Sequence, residues 1–186
     1  MNTGTQKSIV AARHGKPGAR NQSPSSSQKG VRRLKWGLRN ILVPVDFSAP
    51  SKKALSYALC FAQQNRGKIT LLHVIEPIPV YTDVAFPVVM GADVWETEAK
   101  KAFGKLCDEE HANTQLIRST LTRTGTPHKE ITDAARELKA DLIIIATNGR
   151  TGLAHVLLGS TTERVVRHAP CPVLVVREKE REFLRS

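Results

Sequence analysis

The sequence predicts a doubly wound α/β domain, with a mostly parallel sheet of five strands and helices on both faces. Short apolar runs typical of buried strands alternate with stretches whose apolar residues recur at helical spacing. Turn and cap residues stand at most of the junctions. Alternating strands and helices require right-handed crossovers, which make the strands parallel and place helices on both faces. Ligands of such sheets bind beyond the carboxyl ends of the strands, where the strand order reverses.

The first strand and helix lie between residues 40 and 62. Asn40–Val45 is an apolar run, and Pro44 stands near its end, where a missing N–H does least harm. Ser48 is in position to cap the following helix with its side chain, and Pro50 is tolerated in the first turn. Apolar residues then recur at helical spacing as far as Ala62.

The middle of the domain is predicted as strand, loop, helix and strand. Gly67 ends the first helix, and Lys68–Ile75 is the second strand. Residues 76–93 hold three prolines and a glycine among apolar residues, a density that excludes a regular element, so we predict a long loop. A helix over Val94–Asn113 follows, and the alternating pattern of Gln115–Arg123 indicates an edge strand.

The last third completes the alternation. Thr126 followed by Pro127 is typical of an N-cap with proline at the first helical position, which opens a helix to Leu138. Asp141–Ala146 is the fourth strand.

The final helix and strand come after a long polar loop. Ser160 and Glu163 have the spacing of a capping box, which predicts a helix that continues to His168. Val173–Arg177 is the last strand. Residues 178–186 form a short charged tail.

The basic charge is concentrated at the N-terminus. The chain carries a net charge of +11, and residues 1–45 hold nine basic residues and no acidic one, which leaves 19 basic against 17 acidic residues elsewhere. Residues 1–35 are rich in Gly, Ser and Pro without apolar periodicity, so we predict a disordered tail. Its charge could attract phosphate backbones. Trp36 is its only aromatic neighbour, which argues against stacking on bases.

The loop over residues 146–162 has the composition of a phosphate cradle. Gly149 and Gly159 enclose nine residues, and Gly159 directly precedes a predicted helix N-terminus. Glycine lets backbone amides approach a ligand, a helix N-terminus attracts anions, and Ser160 and Thr162 add hydroxyls. The alternative to a phosphate site is purely structural: Gly159 makes a tight turn and Ser160 caps the helix. The Walker and dinucleotide-binding glycine patterns are absent.

Four separated segments together resemble the universal stress protein family. They agree with it in order and spacing over residues 40–177, about three quarters of the chain: VPVDFS at 43–48, LLHVIEP at 71–77, TNGRTGLAHVLLGSTTERV at 147–165 and APCPVLVV at 169–176. The resemblance implies a Rossmann-like fold of the adenine nucleotide alpha hydrolase type.

Nucleotide-binding members of that family carry the pattern G-x2-G-x9-G-[ST]. In this sequence Gly149 is the second glycine, 150–158 are the nine residues, and Gly159 and Ser160 are the end. Ala146 stands where the first glycine is expected. Three of the four positions are kept, so the resemblance implies that ATP is the ligand.

The resemblance also implies the residues of the ATP site. They are Pro44, Val45, Asp46, Val74, Ala146, Gly149, Gly159, Ser160, Thr161 and Thr162. Asp46 would hold the ribose hydroxyls or a Mg²⁺ ion beside the phosphates; alternatively it is a solvated loop carboxylate or a helix cap. Val45 and Val74 would flank the adenine, and the last five residues, from Gly149 to Thr162, would hold the phosphates.

The implied function is a stress-response binding or switch module that forms a homodimer through the last strand, Pro172–Arg177. No arrangement of side chains indicates a catalyst: His73 is predicted as a hydrogen-bonded strand residue, and we expect at most slow, incidental ATP hydrolysis. Three cysteines without a CxxC pair or a secretory signal favour the cytoplasm. Two alternatives remain open, a dimeric family member that binds no nucleotide and a nucleic-acid binder that uses the basic tail.

Overall fold

The computed structural model describes residues 37–76, 92–147 and 158–179. Within these ranges it contains five strands: β1 Asn40–Pro44, β2 Lys68–Ile75, β3 Ile117–Thr124, β4 Leu142–Ala146 and β5 Val173–Val176. The α-helices of the same ranges are α1 Ala49–Asn65, α2 Ala92–Glu109, α3 Pro127–Glu137 and α4 Ser160–His168, and a 3-10 turn, Thr114–Leu116, precedes β3. None of the described helices is long and apolar enough to cross a membrane.

The sheet is parallel throughout, in the order β3-β2-β1-β4-β5. The chain moves outward from β1 to β3, then returns to the other side of β1 and moves outward again to β5. The strand order therefore reverses between β1 and β4. This confirms the predicted doubly wound fold, and it also confirms that β3 is an edge strand.

Two apolar clusters cover the two faces of the sheet. On one face α1 and α2 pack through residues such as Leu55 and Phe103. On the other face α3 and α4 pack through Ile131 and Val165. Successive residues of each central strand alternate between the clusters, as the two-residue repeat of a strand requires. The core is thus divided by the sheet, and both halves are needed to bury β1 and β4.

The end of α2 differs from its prediction. The helix ends at Glu109, four residues before Asn113, and His111 takes a positive φ of 46° that an α-helix cannot continue through. Asn113 instead caps the 3-10 turn, because its side-chain oxygen accepts a hydrogen bond from the Gln115 N–H at 3.0 Å.

Two predicted caps are wrong in detail. Ser48 is the N-cap residue of α1 but makes no capping bond, because its hydroxyl donates to Asp46 Oδ1 at 2.5 Å. The N-cap of α4 is Gly159, so Ser160 is the first helical residue and the predicted capping box does not form. The first helical hydrogen bond fixes this register, since the Glu163 N–H donates to Gly159 O at 2.9 Å. Thr126 is the N-cap of α3, with Pro127 following as predicted, but like Ser48 its side chain makes no capping bond.

Gly67 is required by a close approach of the backbone. Helix α1 ends at Asn65, and Arg66, with φ 54°, makes the left-handed turn. A Cβ at Gly67 would collide with the carbonyl oxygen of Leu38. The glycine therefore lets the start of β2 pass beside the segment that leads into β1.

A carboxylate joins the beginnings of the two central strands. Asp141 Oδ2, directly before β4, accepts the N–H groups of Arg39 and Asn40 at 2.8 Å each. On the edge of the sheet Arg123 of β3 pairs with Glu137 of α3, and this hydrogen bond holds the pKa of the Glu137 carboxyl below its ordinary value. These contacts tie strands and helices together at opposite ends of the domain.

Candidate functional site

The candidate site lies where the carboxyl ends of β1 and β4 stand side by side. The chain leaves β1 for α1 on one face and leaves β4 for α4 on the other, which opens a crevice between the two exits. Pro44 is the last residue of β1 and is buried, and Ala146 is the last residue of β4, 6% exposed. The predicted site residues in the described ranges belong to these exits and to the end of β2.

Val45 is held by hydrogen bonds of its backbone to β2. Its N–H donates to Leu72 O at 2.8 Å, and its carbonyl oxygen lies 2.8 Å from His73 Nδ1. Its side chain is buried in the cluster of α1 and α2, whereas Val74 packs against the cluster of α3 and α4. The two valines predicted to flank a base therefore belong to opposite faces of the sheet.

The Asp46 carboxylate organises the turn into α1. Its Oδ1 accepts the Ser48 N–H at 3.1 Å and the Ser48 hydroxyl at 2.5 Å. A short aspartate that bonds a backbone N–H two residues onward forms a local turn of its own. Asp46 is half-buried at the carboxyl edge of the sheet. Its carboxylate thus has a defined orientation at the point where a ligand of this fold class is expected.

Phe47 has a strained backbone. Its φ is 65°, in the left-handed region, which costs a bulky residue about 1–2 kcal/mol. Its ring packs on His73 with centroids 4.7 Å apart and meets Phe103 of α2 edge-on at 5.4 Å. No sequence pattern singles out Phe47, because nothing in an aromatic residue at a strand exit indicates a positive φ.

The start of α4 is joined to the ends of β4 and β5. The Gly159 N–H donates to Thr147 O at 2.8 Å, and the Thr147 N–H donates to Val176 O at 2.9 Å. The backbone of Gly159 has φ −66° and ψ 151°, an extended conformation open to any residue. The N–H groups of Ser160, Thr161 and Thr162 precede the first helical hydrogen bond, so they form the donor end of the helix.

The three hydroxyls of this segment differ in burial. Ser160 is exposed, Thr161 is half-buried, and Thr162 is 4% exposed. Thr162 Oγ1 donates to Ala146 O at 2.8 Å. The Thr162 hydroxyl therefore joins α4 to β4, and its amide remains at the helix N-terminus.

Several predicted features lie outside the described residues. Gly149 is among them, as are most of the loop over 146–162, most of the loop over 76–93 and the basic tail of residues 1–35. Among the described residues, no group of three or more histidine, cysteine, aspartate or glutamate side chains could hold a metal ion.

The chain is similar to universal stress proteins over most of its length. A model of the universal stress protein family matches residues 37–177. A universal stress protein of Methanocaldococcus jannaschii is 31% identical over 156 residues, which cover 77% of this chain and 85% of the relative. One from Thermus aquaticus is 34% identical over 143 residues, covering 75% of this chain and 98% of the relative.

Solved structures share the fold. Universal stress protein UspA from Lactobacillus plantarum has a TM-score of 0.66 and 31% identity, covering 77% of this chain and all of the other. A universal stress protein in complex with cAMP has a TM-score of 0.55 at 22% identity, covering 77% and 100% of the two chains. The protein from Archaeoglobus fulgidus in complex with dAMP has a TM-score of 0.51 at 21% identity, covering 76% and 99%.

Proposed function

Because this chain belongs to the universal stress protein family, we propose that its domain binds an adenine nucleotide, with ATP as the expected ligand, and acts as a stress-response binding or switch module. One observation carries the proposal. The oriented carboxylate of Asp46 and the donor end of α4 stand at the exits of the neighbouring strands β1 and β4. A nucleotide needs an acceptor for its ribose hydroxyls and donors for its phosphates, and these exits supply both.

The phosphates would be bound by the N-terminus of α4. The amides of Ser160, Thr161 and Thr162 lie before the first helical hydrogen bond, and the helix dipole favours negative charge there. The exposed Ser160 hydroxyl adds a donor, whereas the Thr162 hydroxyl is bound to β4. Gly149 and Gly159 would let the loop approach the phosphates closely.

Asp46 would bind the ribose hydroxyls or a Mg²⁺ ion. Magnesium takes one or two protein carboxylates and completes its shell with phosphate oxygens and water, which fits a single carboxylate beside a phosphate site. When bound, the ion would offset phosphate charge. Two universal stress proteins of the same fold have been solved with cAMP and dAMP, which supports an adenine nucleotide as the ligand class.

The base would lie against Pro44, Val45, Val74 and Ala146. Of the two valines, half-buried Val74 offers an apolar side chain, whereas the side chain of Val45 is buried in the cluster of α1 and α2 and its N–H is engaged by Leu72. An apolar surface favours adenine, the less polar of the two purines, so we expect the domain to bind ATP more tightly than GTP.

We further propose that two copies of the chain pair through β5 and its flanks, Pro172–Arg177. This strand is at the edge of the sheet, and Val173, Leu174 and Val175 on it are only half-buried. An apolar edge strand of a folded protein is a ready surface for pairing with a second strand.

The proposal is tested by calorimetric titration of the full chain with ATP and GTP, in wild type and in Gly159→Val. The extended backbone of Gly159 accepts valine, so the variant should keep its circular dichroism spectrum while the branched side chain blocks the phosphates. We expect at least a tenfold loss of ATP affinity. Gly37→Val is the matched control, because a Cβ at Gly37 meets no atom within 4 Å.

Two results would contradict the proposal. If the wild-type protein binds neither ATP nor an adenosine monophosphate, the chain is a family member without nucleotide binding. If folded Gly159→Val binds ATP as wild type does, the phosphates lie elsewhere.

A further inference from the structure

The turn that carries Asp46 is held in an unusual way. Four residues other than glycine have a positive φ in the described ranges, and three of them, Arg66, His111 and Lys139, follow the ends of helices. Phe47 is the fourth, and it precedes a helix and follows the Asp46 carboxylate. A strained backbone persists only where surrounding contacts fix it, and such strain clusters at functional sites. The contacts that fix Phe47 therefore merit a functional interpretation.

His73 makes contacts on both sides of Asp46, and on Phe47 it adds to the edge-on contact of Phe103. Its Nδ1 lies 2.8 Å from Val45 O, so Nδ1 carries the proton and donates, because a carbonyl oxygen only accepts. Its ring packs on Phe47 with centroids 4.7 Å apart and an interplanar angle of 45°. One imidazole on β2 thus holds the residue before Asp46 by a hydrogen bond and the residue after it by ring packing.

We propose that His73 is a positioning residue that orients the Asp46 carboxylate toward the ribose of a bound nucleotide, acting through Val45 and Phe47. The inference rests on the proposed nucleotide binding. With both neighbours fixed, Asp46 keeps the conformation in which its Oδ1 accepts the N–H and hydroxyl of Ser48. A histidine that only filled space would not select between ligands that differ at the ribose.

The first test compares ATP with 2′,3′-dideoxyATP, which lacks both ribose hydroxyls. A hydroxyl bonded to a carboxylate contributes about tenfold or more in affinity, so wild type should prefer ATP by about that factor. His73→Leu should reduce the preference to threefold or less by weakening ATP alone, and dideoxyATP should bind as before. His73→Asn, which restores an N–H donor near the place of Nδ1, should recover part of the preference. His128→Leu, another half-buried histidine, is the control and should keep the full preference.

The second test needs no nucleotide. In heteronuclear NMR the Ser48 amide reports on its bond to Asp46 Oδ1, and the Ile143 amide reports on the central sheet through its bond to Pro172 O. His73→Leu should shift the Ser48 resonance and speed its hydrogen exchange severalfold, with Ile143 unchanged.

The outcomes separate the two proposals. An unchanged Ser48 amide in His73→Leu, or equal weakening of ATP and dideoxyATP, would overturn the positioning role. If wild type binds no adenine nucleotide, nucleotide binding and the ribose-directed role both fail, and the Ser48 amide then shows whether His73 orders the turn at all.

Discussion

The hydroxyl of Thr162 provides a quantitative test of how α4 is attached to the sheet. It is almost fully buried and donates to Ala146 O at 2.8 Å, the end of a central strand. Thr162→Val keeps the shape of the side chain but leaves that carbonyl with one donor fewer. An unsatisfied buried acceptor costs about 1–3 kcal/mol. The added methyl returns up to about 0.8 kcal/mol, so the net loss of unfolding free energy should be about 1–2 kcal/mol.

The loss is measured by thermal unfolding followed by circular dichroism. For a domain of this size it lowers Tm by roughly 3–8 °C. ATP affinity, measured by calorimetry well below Tm, should change less than threefold, because the amide of residue 162 is kept. Thr161→Val is the matched control at the adjacent position, with an expected change in unfolding free energy within about 0.5 kcal/mol.

The opposite pattern would refute this reasoning. If Thr162→Val is as stable as wild type but loses tenfold or more in ATP affinity, its hydroxyl serves the ligand and not the strand.

Four further predictions concern the rest of the chain. Gly67→Ala should lower the unfolding free energy by about 1–3 kcal/mol, because the new methyl group meets backbone. Gly104→Ala on α2, where a Cβ meets no atom, should raise the unfolding free energy by about 0.5–1 kcal/mol. Denaturant titration measures both variants, and a change of the same sign in the two would contradict these expectations. Deletion of residues 1–35 should leave Tm and ATP affinity nearly unchanged; a fall of more than about 4 °C would mean that the tail packs on the domain. The pKa of the Glu137 carboxyl is lowered in the folded state, first by its hydrogen bond from Arg123. The ionised carboxylate therefore stabilises the folded state at a pH above its unfolded pKa, and this stabilisation is lost as the pH falls through its folded pKa. Tm should therefore fall less steeply between about pH 5 and pH 3 in Glu137→Gln than in wild type, and parallel curves would contradict this.

The fold was largely predictable because the apolar pattern of each strand and helix extends over many residues, so no single residue decides it. Each strand and helix of the described ranges was predicted, since apolar periodicity reports burial and burial decides the layers. The helix caps were less predictable, because a cap depends on which of several competing hydrogen bonds one side chain forms. The Ser48 hydroxyl donates to the Asp46 carboxylate two residues before it and does not cap α1. Helix α4 begins at Ser160, so its N-cap residue is Gly159.

For the candidate site, the neighbouring strand exits were predictable and the side-chain contacts less so. The sequence assigned the candidate residues to the exits of the first, second and fourth strands and to the start of the last helix, and in the structure the first and fourth strands are neighbours. It could not show that Thr162 faces the sheet, which follows from the packing of Val165 one turn later on the same helix face. It also assigned His73 only a hydrogen bond, because the ring contact with Phe47 depends on a conformation that phenylalanine rarely adopts.

The strand order also has a consequence for synthesis on the ribosome. β1 leaves the ribosome before the other described strands, yet it is the centre of the sheet. Its second neighbour, β4, comes about a hundred residues later, since Arg39 and Asp141 are separated by 102 positions. At 5–20 residues per second, one edge of β1 stays without its strand for roughly 5–20 s in every nascent chain. During that interval the newly made half-sheet exposes backbone donors and acceptors to other chains, and the contact of Asp141 with Arg39 and Asn40 marks the moment at which that exposure ends.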